Sequence, residues 1–400
     1  MFEAFQERDY RRFWAAQFAS NVGSWMQTVA QSWLVYHLTD SPFLLGFVAF
    51  ASSAPSIVLM LPGGVLADQH DRKRVVALSQ MAQAASALGL ALSIWFDTIA
   101  VWQIIVAALV VGVAQSFSAP AYQAMIVDLI EDRSRLANAV ATNSLQFNLS
   151  RAVGPALAAV TLSAWGSFWC FLANALSFVP VILVLRSITN RQELMPQADM
   201  FARLREGFRF VRRDRLIQVL LGVVASASLF GYPYLNLMPI LARRLFANDA
   251  AGNGWLVGAI GVGAFAGALV LSVRTPKRTL PIIIVATFVF GGGLMLTAVL
   301  TAPTAVIAAL VVCGAAMVVG IALCNITIQK RVPDAMRGRV LSMYTFSFFA
   351  FIPFGNLLSG TLAEHRGIEL TFLTNGAGVV LTGVVALVML GNMRGRGIGE

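Results

Sequence analysis

Residues able to do covalent or metal chemistry are few in this 400-residue chain, and they are scattered. His37, His70 and His365 each fall at a loop, where they make no His pair and no Ser/His/Asp set near one membrane depth. Cys170, Cys313 and Cys324 lie inside apolar runs, without disulfide or metal-ligand spacing. No glycine-rich loop precedes a lysine in the pattern that cradles phosphates. What remains is polar recognition inside apolar sequence. Gln17, Asn21, Ser24, Thr28 and Gln31 step by four, three, four and three, one stripe of a helix. Arg151 stands about four turns into another apolar run and shares a face with Ser144, Asn148 and Pro155. Such groups can bind and orient a ligand or another helix, but they make no bonds. A guanidinium at that depth must snorkel, pair near an end of its helix, or meet a ligand anion.

The polar positions need elements to hold them. Hydrophobic residues make up 58% of the chain and charged residues 12%, half the charge of an ordinary soluble domain. Apolar runs of about 20 residues recur, each long enough to cross a hydrocarbon core about 30 Å thick. We read twelve spans: 13–38, 43–66, 75–96, 100–126, 136–163, 168–186, 216–242, 253–273, 279–300, 303–328, 339–362 and 370–391. Span 4 carries Gln115, Ser116, Tyr122 and Gln123, with Pro120 able to open its backbone. Span 5 adds Asn143, Gln146 and Asn148. In span 7, Pro233 within Gly231-Tyr232-Pro233-Tyr234 should bend the helix and free carbonyls near mid-span. Span 10 has Asn325 and span 11 has Pro353, Gly355 and Asn356. Asn248 to Gly254 reads as a turn on the outer side.

Between spans 2 and 3 lies Gly63-Gly64-Val65-Leu66-Ala67-Asp68-Gln69-His70-Asp71-Arg72-Lys73-Arg74. A hairpin between two soluble apolar helices has no need of that much charge, whereas Lys and Arg hold a membrane loop on the cytoplasmic side. Adding 204 carries Gly63, Lys73 and Arg74 onto Gly267, Lys277 and Arg278, and carries Arg133 and Arg135 onto Arg337 and Arg339. A constant offset points to duplication of half the chain. The second copy keeps the bases and loses the acid, since Asp68 maps to Ser272. With both termini cytoplasmic, 25 of the 29 Lys and Arg lie on the inner side; only Arg243, Arg244 and Arg366 lie outside. The net charge of +10 is therefore an orientation signal, not a nucleic-acid surface. Three units follow: residues 1–186 and 216–400 as six-helix bundles, and 187–215 as a cytoplasmic linker. In the linker Phe201, Leu204, Phe208 and Val211 are flanked by Arg203, Arg205, Arg209, Arg212, Arg213 and Arg215, a basic amphipathic helix suited to the membrane interface. No cleavable leader pattern precedes span 1.

The stretch Gly64-x-Leu66-Ala67-Asp68 followed by Arg72-Lys73 resembles the signature loop of the major facilitator superfamily, although Gln69 and Asp71 depart from it. Phe13-Trp14, Gln17, Ser20, Gly23, Gln27, Ala30, Trp33 to Tyr36 and Ser41-Pro42 are similar to the opening of the bacterial subgroup of enterobactin exporters and macrolide efflux proteins. Arg135 to Ala139 and Arg151-x-x-Gly154-Pro155-Ala156 are similar to the same subgroup. Gly154-Pro155 also resembles the span 5 packing motif of drug/proton antiporters, with Ala158 and Ala159 where that motif has glycines.

The resemblance implies an all-α polytopic membrane protein with twelve helices in two bundles related by an axis along the membrane normal. It implies a secondary active exporter of a siderophore- or drug-like small molecule, proton-coupled, working as a monomer in the bacterial cytoplasmic (inner) membrane, with membrane lipid as its surroundings. A lipid or lysolipid transporter of the same fold is the alternative. No cofactor, metal, nucleic acid or enzymatic activity is expected. The expected cavity is lined by Asn21, Trp25, Thr28, Gln31, Gln115, Tyr122, Asn148, Arg151, Tyr232, Asn325 and Asn356, with Trp33 and Tyr234 as further aromatic surface. Gly64, Asp68, Arg72, Lys73 and Asp128 are expected to gate it, with Asp68 latching onto a helix N-terminus of the other half. Asp68 and Asp128 stand at span ends and no acid lies at mid-membrane, which favours an anionic or neutral substrate over a cationic one.

Overall fold

The computed structural model describes residues 3–188, 200–246, 250–273, 276 and 278–394. Every regular element among them is helical. In the first half these are α1 (Arg8–Thr39), α2 (Pro42–Ser53), α3 (Pro55–Gln69), α4 (Arg72–Trp95), α5 (Val101–Asp128), α6 (Leu136–Trp165) and α7 (Ser167–Ser187). In the second they are α8 (Met200–Arg213), α9 (Arg215–Ser226), α10 (Met238–Leu245), α11 (Ala250–Val273), α12 (Thr279–Val299), α13 (Pro303–Arg331), α14 (Asp334–Phe349) and α15 (Ile352–Arg394). Nine stretches of the described residues are long and apolar enough to cross a membrane. α1 and α6 are long enough but fall outside that set, and they are the two helices with the polar stripes.

Local chemistry sets the boundaries. Ser41 caps α2 by accepting from the Leu44 amide, with Pro42 at the first helical position. Asp71 caps α4 by accepting from the Lys73 amide, so this departure from the superfamily loop supplies a helix start. Asp214 caps α9 through the Leu216 and Ile217 amides. Gly166 and Gly367 take φ of 85° and 82°, left-handed values at which a side chain would be strained. Gly367 thereby turns the chain within α15. Three long helices are interrupted. α2 and α3 break at Ala54 before Pro55, and α14 gives way to α15 at Ala350 and Phe351. Between α9 and α10 a π-helical turn, Ala227–Gly231, runs into a 3-10 turn, Tyr232–Leu237. Pro233 lacks the amide that would continue an α-helix; the α-helix is interrupted there, and the π turn before it is new.

One expectation on the elements is corrected. Residues 247–249 lie outside the described residues, but Gly252, Asn253 and Gly254 sit inside α11 and are buried. Glycine serves close helix approach there, not a turn: a Cβ on Gly254 would come 2.5 Å from the Ala159 Cβ of α6.

Ion pairs between helix ends gather the turns: Asp40 with Arg243 and Arg244 with Glu369, and, elsewhere, Arg72 with Asp128 and Arg331 with Asp214. One end carries Asp40, Arg243 and Gly367, and the other carries Asp71, Asp128 and Asp214. Within the first half α1 packs on α6 and α7, and α5 packs on α3 and α4. Within the second half α13 packs on α11 and α12, and α12 packs on α15. Two seams join the halves, α6 against α11 and α2 against α15.

Candidate functional site

The α6–α11 seam is a backbone contact permitted by glycine. From the Asp40 end inward it runs through Gly254 against Ala159, Gly258 against Pro155, and Gly261 against the Arg151 carbonyl, where a Cβ would stand 2.2 Å away. Beyond Arg151 the next α11 glycines, Gly263 and Gly267, face α13 instead. On α6, Phe147, Ser144 and Val140 are exposed over the next turns. The close approach thus ends at Arg151. Gly154 turns the other way, its Cβ position 2.4 Å from the Trp25 Cβ of α1.

Arg151 is 6% exposed, and its Nε and Nη2 have no hydrogen-bond partner. Its guanidinium carbon lies 5.6 Å from the centroid of the Trp25 ring, within cation–π range. Tyr234 lies on the 3-10 turn of the other half. The Tyr234 hydroxyl is itself buried without a partner. Leaving a buried donor unmatched costs about 1–3 kcal/mol, more for a charged group. No ion pair between Arg151 and a carboxylate occurs among the described residues.

The other expected cavity residues divide. Trp25 joins Arg151, and Phe147 stands edge-on to Trp25 at 6.4 Å. Asn21 is half-buried and accepts from Gln17 at 3.0 Å. Thr28 is exposed and donates to the Ser24 carbonyl of its own helix, and Gln31 is half-buried. Asn148 donates to the Ser144 carbonyl at 2.8 Å, and Gln115 accepts from Ser118 at 2.9 Å. Tyr122 belongs to a different cluster, donating to Asn143 and packing on Phe13. Gln146 of that cluster donates to the Trp14 carbonyl, tying α6 to α1. In the second half Asn356 is buried and accepts from Asn236 at 2.9 Å. Tyr232 stands edge-on to Phe348, and Asn325 accepts from Gln329. Trp33 is buried in the core and stacked near His37.

At the Asp71 end Arg72 donates to Asp128 at 2.7 Å and to the Ala67 carbonyl at 3.2 Å. Lys73 reaches the Ile188 carbonyl at 2.8 Å, just past the end of α7, where the helix dipole favours a cation. The side chain of Asp68, and Lys277 of the second copy, lie outside the described residues. Gly64 has open space around its Cβ position. Its neighbour Gly63 is the tightly packed glycine, with a Cβ position 2.4 Å from the Ser116 carbonyl of α5.

Sequence reasoning missed a polar clasp at the Asp40 end. Asp40 pairs with Arg243 across the halves. Glu364 of α15 accepts from the Ser41 hydroxyl at 2.9 Å and the Phe43 amide at 3.0 Å, supplementing the cap of α2. Asn253 of α11, fully buried, donates to the Val29 carbonyl and to Ser32 of α1. A lone Asn in an apolar run was the available signal, hidden by its glycine neighbours.

A bundle of long apolar helices, packed closely along glycine seams and with polar side chains buried among them, is the architecture of a polytopic membrane protein. Within that class, the chain belongs to the transmembrane secretion effector family of the major facilitator superfamily, which it matches over residues 1–394. It is 25% identical over 374 residues to the staphyloferrin A transporter of Staphylococcus aureus, covering 92% of this chain and 93% of that protein. It is 27% identical over 385 residues to the multidrug efflux pump Tap of Mycobacterium tuberculosis, covering 91% and 89%. It is 24% identical over 405 residues to macrolide efflux protein A of Streptococcus pyogenes, covering 93% of each. Solved structures share its fold. A POT family transporter superposes with a TM-score of 0.76 at 12% identity, covering 95% of this chain and 96% of the other. The nucleoside transporter NupG gives 0.72 at 15% identity, covering 96% and 99%.

Proposed function

We propose that this protein is a secondary active exporter of a small organic molecule, siderophore- or drug-like, in the bacterial inner membrane. Its helices form twelve passes in two six-helix bundles, residues 1–186 and 216–400, joined by a cytoplasmic linker at 187–215. Both termini are cytoplasmic, which makes the Asp40 end the outer face. Transport proceeds by alternating access: the seams α6–α11 and α2–α15 close the outer side, and parting them while the Asp71 end closes delivers substrate outward. The relatives named for siderophore, multidrug and macrolide transport support the direction and the substrate class.

One observation carries the reading of the site: a buried arginine, half-capped by Trp25, with two nitrogens lacking acceptors at the point where the α6–α11 contact ends. Arginine holds its charge at any working pH, and its planar fork grips a carboxylate or phenolate with two parallel bonds. An anionic group of the substrate supplies the missing acceptor, and the aromatic rings of Trp25, Phe147 and Tyr232 take up its apolar body. A bound anionic substrate, or Asp68 and Asp128 at the span ends, carries the coupling proton.

Counterflow in proteoliposomes tests this, with siderophores, macrolides and lysolipids offered in turn, with and without a pH gradient. Arg151→Gln should reduce transport of carboxylate-bearing substrates about tenfold or more, a loss of about 1.4 kcal/mol per factor of ten, while Arg151→Lys retains part of it. Full transport by the Gln variant would remove Arg151 from the site. Lysolipid as the sole transported species would replace export of small solutes by lipid movement.

A further inference from the structure

A second concentration of positive charge lies far from Arg151, on α8 between the two halves. Among the side chains described, Val211 is buried and Gly207 lies against α14, where a Cβ would come 3.0 Å from the Arg339 carbonyl. Glu206 forms an ion pair with Arg339 of the same helix. These contacts dock one face of α8. The apolar stripe expected from the sequence divides here: Val211 packs inward, whereas Phe208 is 52% exposed.

The opposite face carries Arg205, Arg209, Arg212 and Arg213, and these four with Phe208 line an open recess of about 450 Å³. Arg212 lies over the Phe208 ring at 5.9 Å. The nearby acids are committed elsewhere, Glu206 to Arg339 and Asp214 to Arg331 and the cap of α9. Among the described residues none of the four guanidinia has a carboxylate partner. Like charges three and four residues apart on a helix repel, so the fold places four cations where they destabilise one another and leaves out the available neutralising side chains. Four guanidinium forks around one recess match the geometry of a phosphate, which they hold by paired charge-assisted hydrogen bonds.

Position selects the source of that phosphate. Asp214 alone separates α8 from α9, which opens the membrane-crossing stretch Arg215–Leu245. The recess therefore lies at the bilayer surface. An exposed phenylalanine beside arginines is suited to that level, its ring toward the acyl chains and the cations toward the head groups.

We propose that the arginine face of α8 is a binding site for the head-group phosphate of anionic phospholipids in the cytoplasmic leaflet. The bound lipid neutralises the four cations and holds the linker helix on α14, the inner part of the interrupted helix that continues as α15 of the α2–α15 seam.

The test uses the full-length protein reconstituted in vesicles of phosphatidylcholine, alone or mixed with phosphatidylglycerol. Retained lipid is counted by native mass spectrometry after mild detergent extraction. Wild-type protein should keep phosphatidylglycerol over phosphatidylcholine, and the preference should weaken as salt is raised. The variant with Arg205, Arg209, Arg212 and Arg213 all changed to Gln should lose the preference several-fold. An Arg11→Gln/Arg12→Gln control, equal in kind at another exposed site, should keep it. If the fourfold variant does not assemble, Arg209→Gln/Arg213→Gln decides by the same count. Equal retention of phosphatidylglycerol by wild type and the α8 variants overturns the proposal. Loss of the preference on adding inorganic phosphate, with the phosphate bound in its place, overturns the lipid as source.

Discussion

At the scale of single residues, the signature stretch shows how a motif and its physics can separate. The sequence singles out Gly64 through its likeness to a family loop, yet nothing lies within 4 Å of a Cβ built on Gly64. Gly63, one position earlier, touches α5, where the Ser116 carbonyl leaves no room for a side chain. Gly64→Ala should therefore leave unfolding in detergent unchanged or raise its midpoint, because alanine is favoured over glycine in a helix by about 0.5–1 kcal/mol. Gly63→Ala must displace backbone and should lower the midpoint by several degrees. A reversed order would show that α3 and α5 do not meet as described. Arg151 was legible as the costly residue because charge inside an apolar run needs no structure to be noticed. Its company was not legible, since Trp25 is 126 positions away on another helix.

At the scale of elements, composition revealed the helices and concealed how they meet. Pro233 announced an interruption of its helix, because a missing amide acts locally. Gly231, the last residue of the π turn before it, packs against Phe290, a contact between separate helices with no local trace. The clasp at the Asp40 end is of the second kind, formed by side chains on α10, α11 and α15 that meet the end of α1 and the start of α2. Glu364 adds a carboxylate to the start of α2 and Asn253 ties α11 to α1. Each hydrogen bond of this kind contributes about 0.5–1.5 kcal/mol, so the loss of one net bond from each set should shift the closed-to-open ratio by about 5–150-fold, at about 1.4 kcal/mol per factor of ten. Spin labels at the exposed positions Leu38 and Trp255 would report it. Their separation should lengthen and broaden in Glu364→Ala/Asn253→Ala, and an unchanged distribution would mean that the glycine seams alone keep this end closed.

At the scale of the molecule, a close glycine contact is found in each half of the chain. Gly154 presses α6 onto Val22 and Trp25 of α1, and Gly355 presses α15 onto Leu229 and Pro233 of the helix that begins with α9. Orientation rests on charge. The ends defined by the fold sort the bases as the sequence did: Arg72, Lys73, Arg133, Arg135, Arg331 and Arg339 at the Asp71 end, Arg243 and Arg244 at the other. The three native cysteines are buried and can be removed to give a background for labelling. In intact cells an impermeant maleimide should then label Thr98→Cys, exposed at the Asp40 end, and spare His70→Cys, exposed at the Asp71 end; permeabilising the cells should make His70→Cys reactive. Because Lys and Arg retained on the cytoplasmic side set orientation, labelling of His70→Cys from outside would invert the whole molecule, and with it the assignment of α8 to the cytoplasmic leaflet and of the clasp to the outer gate.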